Sequence, residues 1–349
     1  MGILGRRLTR LVADDRRVAR RVRPHRASLR SVVLVGALAL ISLLALPSTV
    51  LADETPKITS VTELSSRLVL LDVASPAMGR TMQVKVLLPA DRSEPRGTLY
   101  LLDGNSGQIE ENNWLAPANG DIVPFFADRN VNVVLPIGGT GTMYTDWQED
   151  HPKFGRLKWE TFLTKELPPL IDTRFATNGH NAIGGISMGA EAALILAQRS
   201  AGLYDAVAGY SGCYTTVGGF GKALTDLVVI NGNARSEQMW GPAGSEAWQE
   251  HDIFANADKL RGTKVYLASG SGLPGPHETL DTPALGRVLV VGGVMELGSN
   301  LCTDQITQVL RDRGVDVTRS AQPVGTHGWP YWRDELVRSW PMLDSALSA

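Results

Sequence analysis

The chain has 349 residues, with 34 lysines and arginines and 36 aspartates and glutamates. Residues 1–30 hold ten arginines and two aspartates, so the rest of the chain carries 24 basic and 34 acidic residues and a net charge near −10. This acidity argues against a nucleic-acid partner, since binding to phosphates requires a basic face. The sequence has no internal repeats, metal-ligand spacing or phosphate loop, which predicts an activity without a metal or other cofactor.

The first predicted element is an export signal. Residues 32–46 are uncharged and apolar, and Val50, Leu51 and Ala52 form a small-residue cleavage site. This order is typical of a secretory signal peptide cleaved after Ala52, and it predicts a secreted or cell-envelope protein. An uncleaved membrane anchor is the alternative, because the apolar stretch is near the lower length limit for spanning. Residues 53–349 have the length of one domain with a large core.

Predicted strands and helices alternate along the rest of the chain. After a polar lead-in at 53–66, strands are predicted at 67–73, 82–88, 98–102, 131–136, 181–185, 206–211, 263–269 and 315–324, and helices at 159–171, 190–198, 283–313 and 330–347. The alternation predicts an α/β fold with a mostly parallel sheet flanked by helices. Residues 218–259 break this alternation and are rich in Gly, Pro and Trp. They are expected to be an insertion that covers an acyl site, or else a surface insertion without that role.

The segment Gly185-Ile186-Ser187-Met188-Gly189 lies between a predicted strand and a predicted helix. In α/β-hydrolases this context forms the nucleophile elbow, a sharp turn that exposes the serine hydroxyl above the helix N-terminus. A glycine-rich turn with an incidental serine is the alternative. The context predicts an α/β-hydrolase fold with Ser187 as the nucleophile.

A serine nucleophile needs a base and an acid, which follow it in this fold in the order serine, acid, histidine. His327 is the candidate base because it lies in the loop after the last predicted strand, although an exposed loop histidine is the alternative. His251 lies in a polar stretch and His277 in a Gly/Pro-rich loop. Spacing leaves four acids open between the penultimate strand and His327: Glu278, Asp281, Glu296 and Asp304.

Several motifs together resemble the secreted mycolyltransferases of mycolate-bearing actinobacteria, the antigen 85 type. The matching segments are YLLDG at 100–104, LPIGG at 135–139, YTDW at 144–147, KWETFL at 158–163 with ELP at 166–168, ISM at 186–188, MWGP at 239–242, and GTH at 325–327 with Trp329 and the pair at 331–332. They occur in the family's order and span roughly residues 71–343, nearly all of the chain after the leader.

The resemblance implies an α/β-hydrolase fold and a Ser/Glu/His triad of Ser187, Glu296 and His327. Glu296 fits the place of the family's acid, in a helical segment that follows a proline and precedes the histidine. The resemblance also implies an oxyanion hole made by the backbone N–H groups of Asn105 and Met188.

The resemblance also points to three substrate-binding positions. In the family the residue that matches Asp103 hydrogen-bonds a trehalose hydroxyl, helped by a neighbouring arginine. Ser106 stands at that arginine position here, which leaves open an acceptor other than trehalose. Asp103 as a turn-capping residue is the alternative. Trp329 is expected to form a wall of the cleft beside the base, or else to cover the core at a helix start.

The activity implied by the resemblance is that of a secreted acyltransferase. It would move a mycolic acyl chain from trehalose monomycolate to an envelope acceptor, which is trehalose monomycolate, arabinogalactan or a protein hydroxyl. Such substrates imply peripheral contact with the mycolate layer. A carboxylesterase with the same triad and water as acceptor is the second hypothesis, and a non-catalytic binding protein of the same fold is the third. The presence of Ser187, His327 and a candidate acid disfavours the third.

Cys213 and Cys302 are the only cysteines, and an even count in an exported protein favours a disulfide. Cys213 follows the predicted strand at 206–211 and Cys302 lies six residues beyond Glu296, so a bridge would join the acid's helix to the sheet. In the chain-entropy model, closing this loop of 89 residues stabilises the fold by about 4–5 kcal/mol. Two independent buried thiols are the alternative.

Overall fold

The computed structural model describes residues 55–105, 107 and 112–349, so the predicted signal peptide and its cleavage site lie outside the described residues. The strands are β1 (Lys57–Glu63), β2 (Leu68–Ser75), β3 (Arg80–Leu87), β4 (Arg96–Leu102), β5 (Asn132–Pro136), β6 (Thr177–Ile186), β7 (Ala206–Tyr210), β8 (Lys264–Ser269) and β9 (Val317–Ala321). They form one sheet in the order β1-β2-β3-β5-β4-β6-β7-β8-β9. The six strands β4 to β9 pair with one another in parallel. The strands β1, β2 and β3 pair antiparallel at one edge of the sheet, where β3 borders β5.

Ten helices accompany the sheet in the described part of the chain. They are α1 (Ile122–Phe125), α2 (Trp159–Thr161), α3 (Leu167–Phe175), α4 (Met188–Arg199), α5 (Gly218–Asn231), α6 (Ser236–Trp240), α7 (Glu246–Glu250), α8 (Leu285–Arg287), α9 (Gly293–Asp312) and α10 (Trp329–Leu347). Single π-helical segments at Phe162–Glu166 and Val288–Gly292 join α2 to α3 and α8 to α9. A short 3₁₀ helix lies at Ala257–Leu260.

The sheet is buried on both faces, which explains the continuous apolar runs of its central strands. Tyr100 and Leu102 of β4 point into a core shared with α3, α4 and α9. Leu99 and Leu101 of the same strand point into a second core, shared with α1 and α10. The predicted α/β architecture with a mostly parallel sheet is therefore observed.

The register of β4 and β6 positions the site. Leu102 pairs with Gly185, so the two strands end side by side and the loops after them meet at the carboxyl edge of the sheet. That edge is where α/β folds place their ligands.

Two predictions about the sheet were wrong. The stretch at 53–66 was expected to be a polar lead-in, yet it contains β1, which pairs antiparallel with β2. Because β1 is an edge strand with mostly exposed side chains, it lacks the apolar pattern that identifies a buried strand. The last strand, β9, is also shorter than the predicted 315–324.

Residues 218–259 fold into α5, α6, α7 and the 3₁₀ helix. Trp240 and Trp248 of this segment are buried in the same core as α3, α4 and α9. The segment is thus packed against the domain, while Phe220, Leu227 and Ile230 of α5 remain exposed.

The cysteines form a disulfide. Cys213, in the loop after β7, is bonded to Cys302 of α9 across 89 residues of sequence, which confirms the predicted pairing. The bridge joins the end of the sheet to the continuous helical run Leu285–Asp312. By length and composition alone, that run is apolar enough to cross a membrane.

Candidate active site

Ser187 lies on a strained turn between β6 and α4. Its backbone has φ 51° and ψ −120°, a conformation that costs a non-glycine residue on the order of 1–3 kcal/mol. A Cβ on Gly185 would lie 2.2 Å from the carbonyl oxygen of Gly189, and a Cβ on Gly189 would lie 2.4 Å from that of Asp103. Both glycines are therefore sterically required, and the strand, turn and helix have the order that the GxSxG pattern predicts.

Three side chains line up above this turn. Ser187 Oγ lies 3.0 Å from His327 Nε2. On the other side of the ring, His327 Nδ1 lies 2.9 Å from Glu296 Oε2. The serine follows β6, the acid belongs to α9 and the histidine lies in the loop after β9, so the fold brings them together across 140 residues of sequence. This geometry allows His327 to take the Ser187 proton while Glu296 fixes the imidazole tautomer.

The carboxylate of Glu296 is buried, with only 1% of the residue exposed. Its Oε1 accepts hydrogen bonds from Ser211 Oγ at 2.8 Å and from the N–H of Gly270 at 2.6 Å. A buried carboxylate is tolerated when its oxygens have such partners. Ser211 is held in turn by Trp332, whose indole N–H donates to Ser211 Oγ at 2.9 Å.

The loop that carries His327 is fixed on both sides. The N–H of His327 donates to the carbonyl of Gly292 at 3.2 Å, and the ring contacts Trp332 edge-on with a centroid distance of 5.1 Å. Just before the histidine, Thr326 Oγ1 donates to Glu278 Oε1 at 2.6 Å. The base is thereby tied to the helical run that bears the acid and to the loop that precedes that run.

Glu278 has a structural task in this arrangement. It accepts hydrogen bonds from the Gly275 N–H and from the hydroxyls of Thr326 and Tyr331. Burial raises the pKa of Glu278, but these three donors outweigh it and hold the pKa below its ordinary value. Glu278 therefore supports the histidine loop from outside the triad.

The remaining candidates for the acid and the base lie away from Ser187. Asp281 is exposed, and Asp304 pairs with Arg319 at 2.9 Å. His277 pairs with Asp334 at 2.9 Å. His251 is buried, with Nε2 3.0 Å from Thr145 Oγ1, and it stacks on Trp240. In the part of the chain that the structure describes, no three His, Cys, Asp or Glu side chains are grouped to hold a metal ion.

The expected oxyanion donors border the nucleophile. Met188 is the first residue of α4, so its N–H lies at the positive end of the helix dipole. Asn105 follows Gly104, and a Cβ on that glycine would lie 3.4 Å from Ser187 Cβ. Gly104 therefore lies against Ser187, and an oxyanion hole formed by the N–H groups of Asn105 and Met188 stays a prediction.

Comparison with known proteins identifies the family to which the chain belongs. The putative esterase family matches residues 75–343. The diacylglycerol acyltransferase/mycolyltransferase Ag85A of Mycobacterium tuberculosis (strain ATCC 25618 / H37Rv) is 31% identical over 289 residues, covering 80% of this chain and 81% of the relative. The chain belongs to the antigen 85 mycolyltransferase family. Its Ag85B relative from Mycobacterium leprae (strain TN) is 30% identical and covers 80% of this chain and 84% of the relative.

Solved structures share the fold of this antigen 85 family member. Mycobacterium tuberculosis MPT51 superposes with a TM-score of 0.66 at 24% identity, covering 79% of this chain and 97% of that chain. An S-formylglutathione hydrolase from Agrobacterium tumefaciens has a TM-score of 0.57 at 15% identity, covering 83% and 99% of the two chains. The α/β-hydrolase fold is confirmed, and the chain is an acyltransferase of the serine-esterase type.

Asp103, the position expected to contact a sugar in this antigen 85 family member, is 1% exposed. Its Oδ2 accepts a hydrogen bond from the N–H of Asn113 at 3.1 Å, whereas Oδ1 has no partner among the described residues. Burial raises the pKa of Asp103 to about 7, although the bonds from Asn113 oppose the shift. The buried carboxyl is therefore held by Asn113 rather than open to solvent.

Of the other two expected substrate-binding residues, the structure describes only Trp329. Ser106 lies outside the described residues. Trp329 is the first residue of α10 and is partly buried, and its ring contacts Trp114 and Trp332 edge-on at 5.1 and 5.3 Å. Because Trp332 also touches His327, Trp329 is one ring removed from the base and packs on the core at a helix start.

Sequence reasoning missed Ser211, Gly270 and Gly292 as supports of the triad, and it named Glu278 only as a candidate acid. Ser211 and Gly270 hold the acid, and Gly292 and Glu278 hold the base or its loop. The only available signal for Ser211 was its place at the carboxyl end of a predicted strand, an edge where parallel sheets gather functional groups.

Proposed function

We propose that this chain is an exported acyltransferase that moves a mycolic acyl chain from trehalose monomycolate to an envelope acceptor through an acyl-enzyme on Ser187. The observation that carries the proposal is the continuous contact from Ser187 Oγ to His327 and on to buried Glu296, at 3.0 and 2.9 Å. Membership in the antigen 85 family supplies the reaction class. Residues 1–52, outside the described part, are proposed to direct export and to be removed.

In the first half-reaction, Ser187 Oγ attacks the ester carbonyl while His327 Nε2 accepts the hydroxyl proton. Glu296 stabilises the imidazolium that forms. The negative oxygen of the tetrahedral intermediate accepts hydrogen bonds from the N–H groups of Met188 and Asn105. The intermediate collapses when His327 returns its proton to the departing trehalose oxygen, which leaves the acyl group on Ser187.

In the second half-reaction, His327 removes a proton from the acceptor hydroxyl, which attacks the acyl-enzyme and restores Ser187. Water competes with this hydroxyl, so transfer requires that the acceptor be oriented and solvent excluded. Asp103, Ser106 and Trp329 are the proposed acceptor-side residues. Asp103 is 1% exposed, so we propose that it acts there by holding Asn113 in place rather than by contacting the acceptor at the cleft mouth.

The helical run beside the triad supports a long acyl substrate. His327 is bonded to the carbonyl of Gly292, and the apolar residues on either side of that glycine are exposed, among them Val290, Val291 and Val294. Exposed apolar groups at a catalytic centre suit a hydrocarbon chain or a lipid layer. We therefore propose that the acyl chain, and through it the mycolate layer, contacts this surface.

The test is product analysis by mass spectrometry after incubation of the exported protein with trehalose monomycolate. We expect diacylated trehalose and free trehalose as products, with Ser187→Ala as the inactive control. Adding trehalose should raise acyl transfer at the expense of free acid. Free mycolic acid as the only product, with trehalose, arabinan and protein acceptors alike, would identify a carboxylesterase instead. A chain that turns over neither trehalose monomycolate nor a nitrophenyl ester would be a non-catalytic binding protein.

A further inference from the structure

The catalytic acid lies on a part of its helix that buries no large hydrophobic side chain. Along the described run Leu285–Asp312, no buried residue precedes Gly293, and only Gly293, Glu296 and Ser299 are buried before position 302. None of these three contributes a hydrophobic side chain to the core. The apolar anchors Ile306 and Leu310 come later, in the second half of α9. The segment around Glu296 therefore gains little from hydrophobic burial, while the burial of its carboxylate is unfavourable.

Cys302 is the first residue after the acid on α9 that is both buried and covalently tied to the sheet side of the site. It lies six residues beyond Glu296, which is about 9 Å along a helix. Its disulfide partner, Cys213, is two residues beyond Ser211, the residue whose hydroxyl binds Glu296. The covalent bridge therefore joins the same two segments that the hydrogen bond to the acid joins.

A third tie completes this arrangement. Ser299 Oγ, between the acid and the cysteine on α9, donates to the carbonyl of Ser211 at 3.0 Å. Ser211 has φ 56°, a left-handed conformation that a serine keeps only where its surroundings impose it. Among the described residues, reduction of the disulfide would leave two hydrogen bonds directly between the turn at Ser211 and α9, from Ser211 to Glu296 and from Ser299 to Ser211.

We propose that the Cys213–Cys302 disulfide is a positioning element for Glu296, so that turnover depends on the oxidised chain. This inference rests on the proposed function, in which Glu296 orients His327. The consequence is that the chain gains full activity only after it reaches an oxidising compartment. There, two electrons and two protons pass from the thiols to the disulfide of a thiol–disulfide oxidoreductase, and the S–S bond forms.

The experiment compares four exported proteins: wild type, Cys213→Ser with Cys302→Ser, Glu296→Gln, and the combination of all three substitutions. Hydrolysis of a nitrophenyl ester and transfer to trehalose are measured for each, and kcat is separated from KM. We expect loss of the bridge to lower kcat about tenfold or more while KM changes little, since the missing contribution acts on the base in the transition state. In the Glu296→Gln background, loss of the bridge should have almost no further effect, because both changes act through one group.

A second measurement uses chemical reduction of the wild-type protein. A trialkylphosphine breaks the S–S bond, each sulfur takes up a hydrogen, and the phosphine becomes its oxide with an oxygen from water. We expect kcat to fall in step with the appearance of two titratable thiols, while tryptophan fluorescence shows that the fold is kept. The double-serine variant is the matched control, because the phosphine should leave its rate unchanged.

Three results would contradict the inference: an unchanged kcat in folded, disulfide-free protein, rate losses that multiply in the combined variant, or an activity loss that only follows global unfolding. Wild-type activity in Glu296→Gln alone would instead refute the triad assignment. The two failures are therefore distinguishable.

Discussion

Ser211 Oγ donates a hydrogen bond of 2.8 Å to Glu296 Oε1, the carboxylate oxygen that does not face His327. Because Oε2 is the oxygen bound to the histidine, Ser211 and His327 hold opposite sides of one buried carboxylate. The orientation of the acid is thus set by the loop after β7 as well as by its own helix.

Replacement of Ser211 by alanine should lower kcat while sparing KM. The variant removes one of the two donors to Glu296 Oε1, and a hydrogen bond to a charged group contributes roughly 1.5–3 kcal/mol, so the loss should be about tenfold or more. Steady-state kinetics on a nitrophenyl ester measure it. Ser236→Ala is the matched control, because Ser236 is also a buried serine bonded to a carboxylate, that of Asp226. Equal losses in both variants would show that the effect is general destabilisation.

Ser187→Ala and His327→Ala should each remove at least about a thousandfold of turnover, and the double variant should be little worse than either. The reason is that the two residues perform one proton-transfer step and their effects do not add. Glu296→Gln should be milder, and rates with trehalose monomycolate give all four values. Full activity in Glu296→Ala, with loss in a Glu278 or Asp304 variant, would move the acid to another residue.

Asp103→Asn should change how stability depends on pH. Burial raises the pKa of Asp103 to about 7, above the value near 3.9 expected in an unfolded chain, so the folded state binds the extra proton between these values. The contribution of Asp103 to stability is present at low pH and is lost as the pH rises towards 7. The asparagine variant does not titrate, so its Tm relative to wild type should increase between pH 4 and pH 8.

The control for that experiment is Asp281→Asn, which changes an exposed aspartate. Its Tm difference from wild type should stay nearly constant over the same pH range. A constant difference in Asp103→Asn as well would show that the carboxyl is ionised in the folded protein at acidic pH.

The exported protein should begin at Asp53 or within a few residues of it. The leader has the basic, apolar and small-residue parts of a cleavable signal, and Ala52 is the last residue of the small-residue site. Amino-terminal sequencing of protein from the culture fluid or envelope makes the measurement. Exported material that still carries Met1 would show an uncleaved anchor.

The parts of this site that sequence patterns alone predicted share one property: their geometry follows from local chain chemistry, whereas Glu296 was predicted through the family resemblance. The elbow at Ser187 is encoded by Gly185 and Gly189, whose missing side chains make room for the turn. His327 was predicted from its position after the last strand. The β1 strand was missed because an exposed edge strand has no apolar alternation.

The supports of the triad depend instead on long-range packing. Ser211 and Glu296 are 85 residues apart, and no local pattern in either segment encodes their contact. The same holds for Thr326 and Glu278, which are 48 residues apart. Asp103 and Asn113 are 10 residues apart, and no pattern in the sequence between them encodes their hydrogen bond.

The most direct test of the proposed mechanism is detection of the acyl group on Ser187. The exported protein is mixed briefly with trehalose monomycolate, quenched in acid and digested, and the peptide that contains Ser187 is examined by mass spectrometry. We predict a mycolyl adduct on Ser187 that is lost when isotope-labelled trehalose is added before the quench, with labelled monoacylated trehalose formed in equal amount. Turnover without any adduct on Ser187, including in protein slowed by Glu296→Gln, would contradict the mechanism.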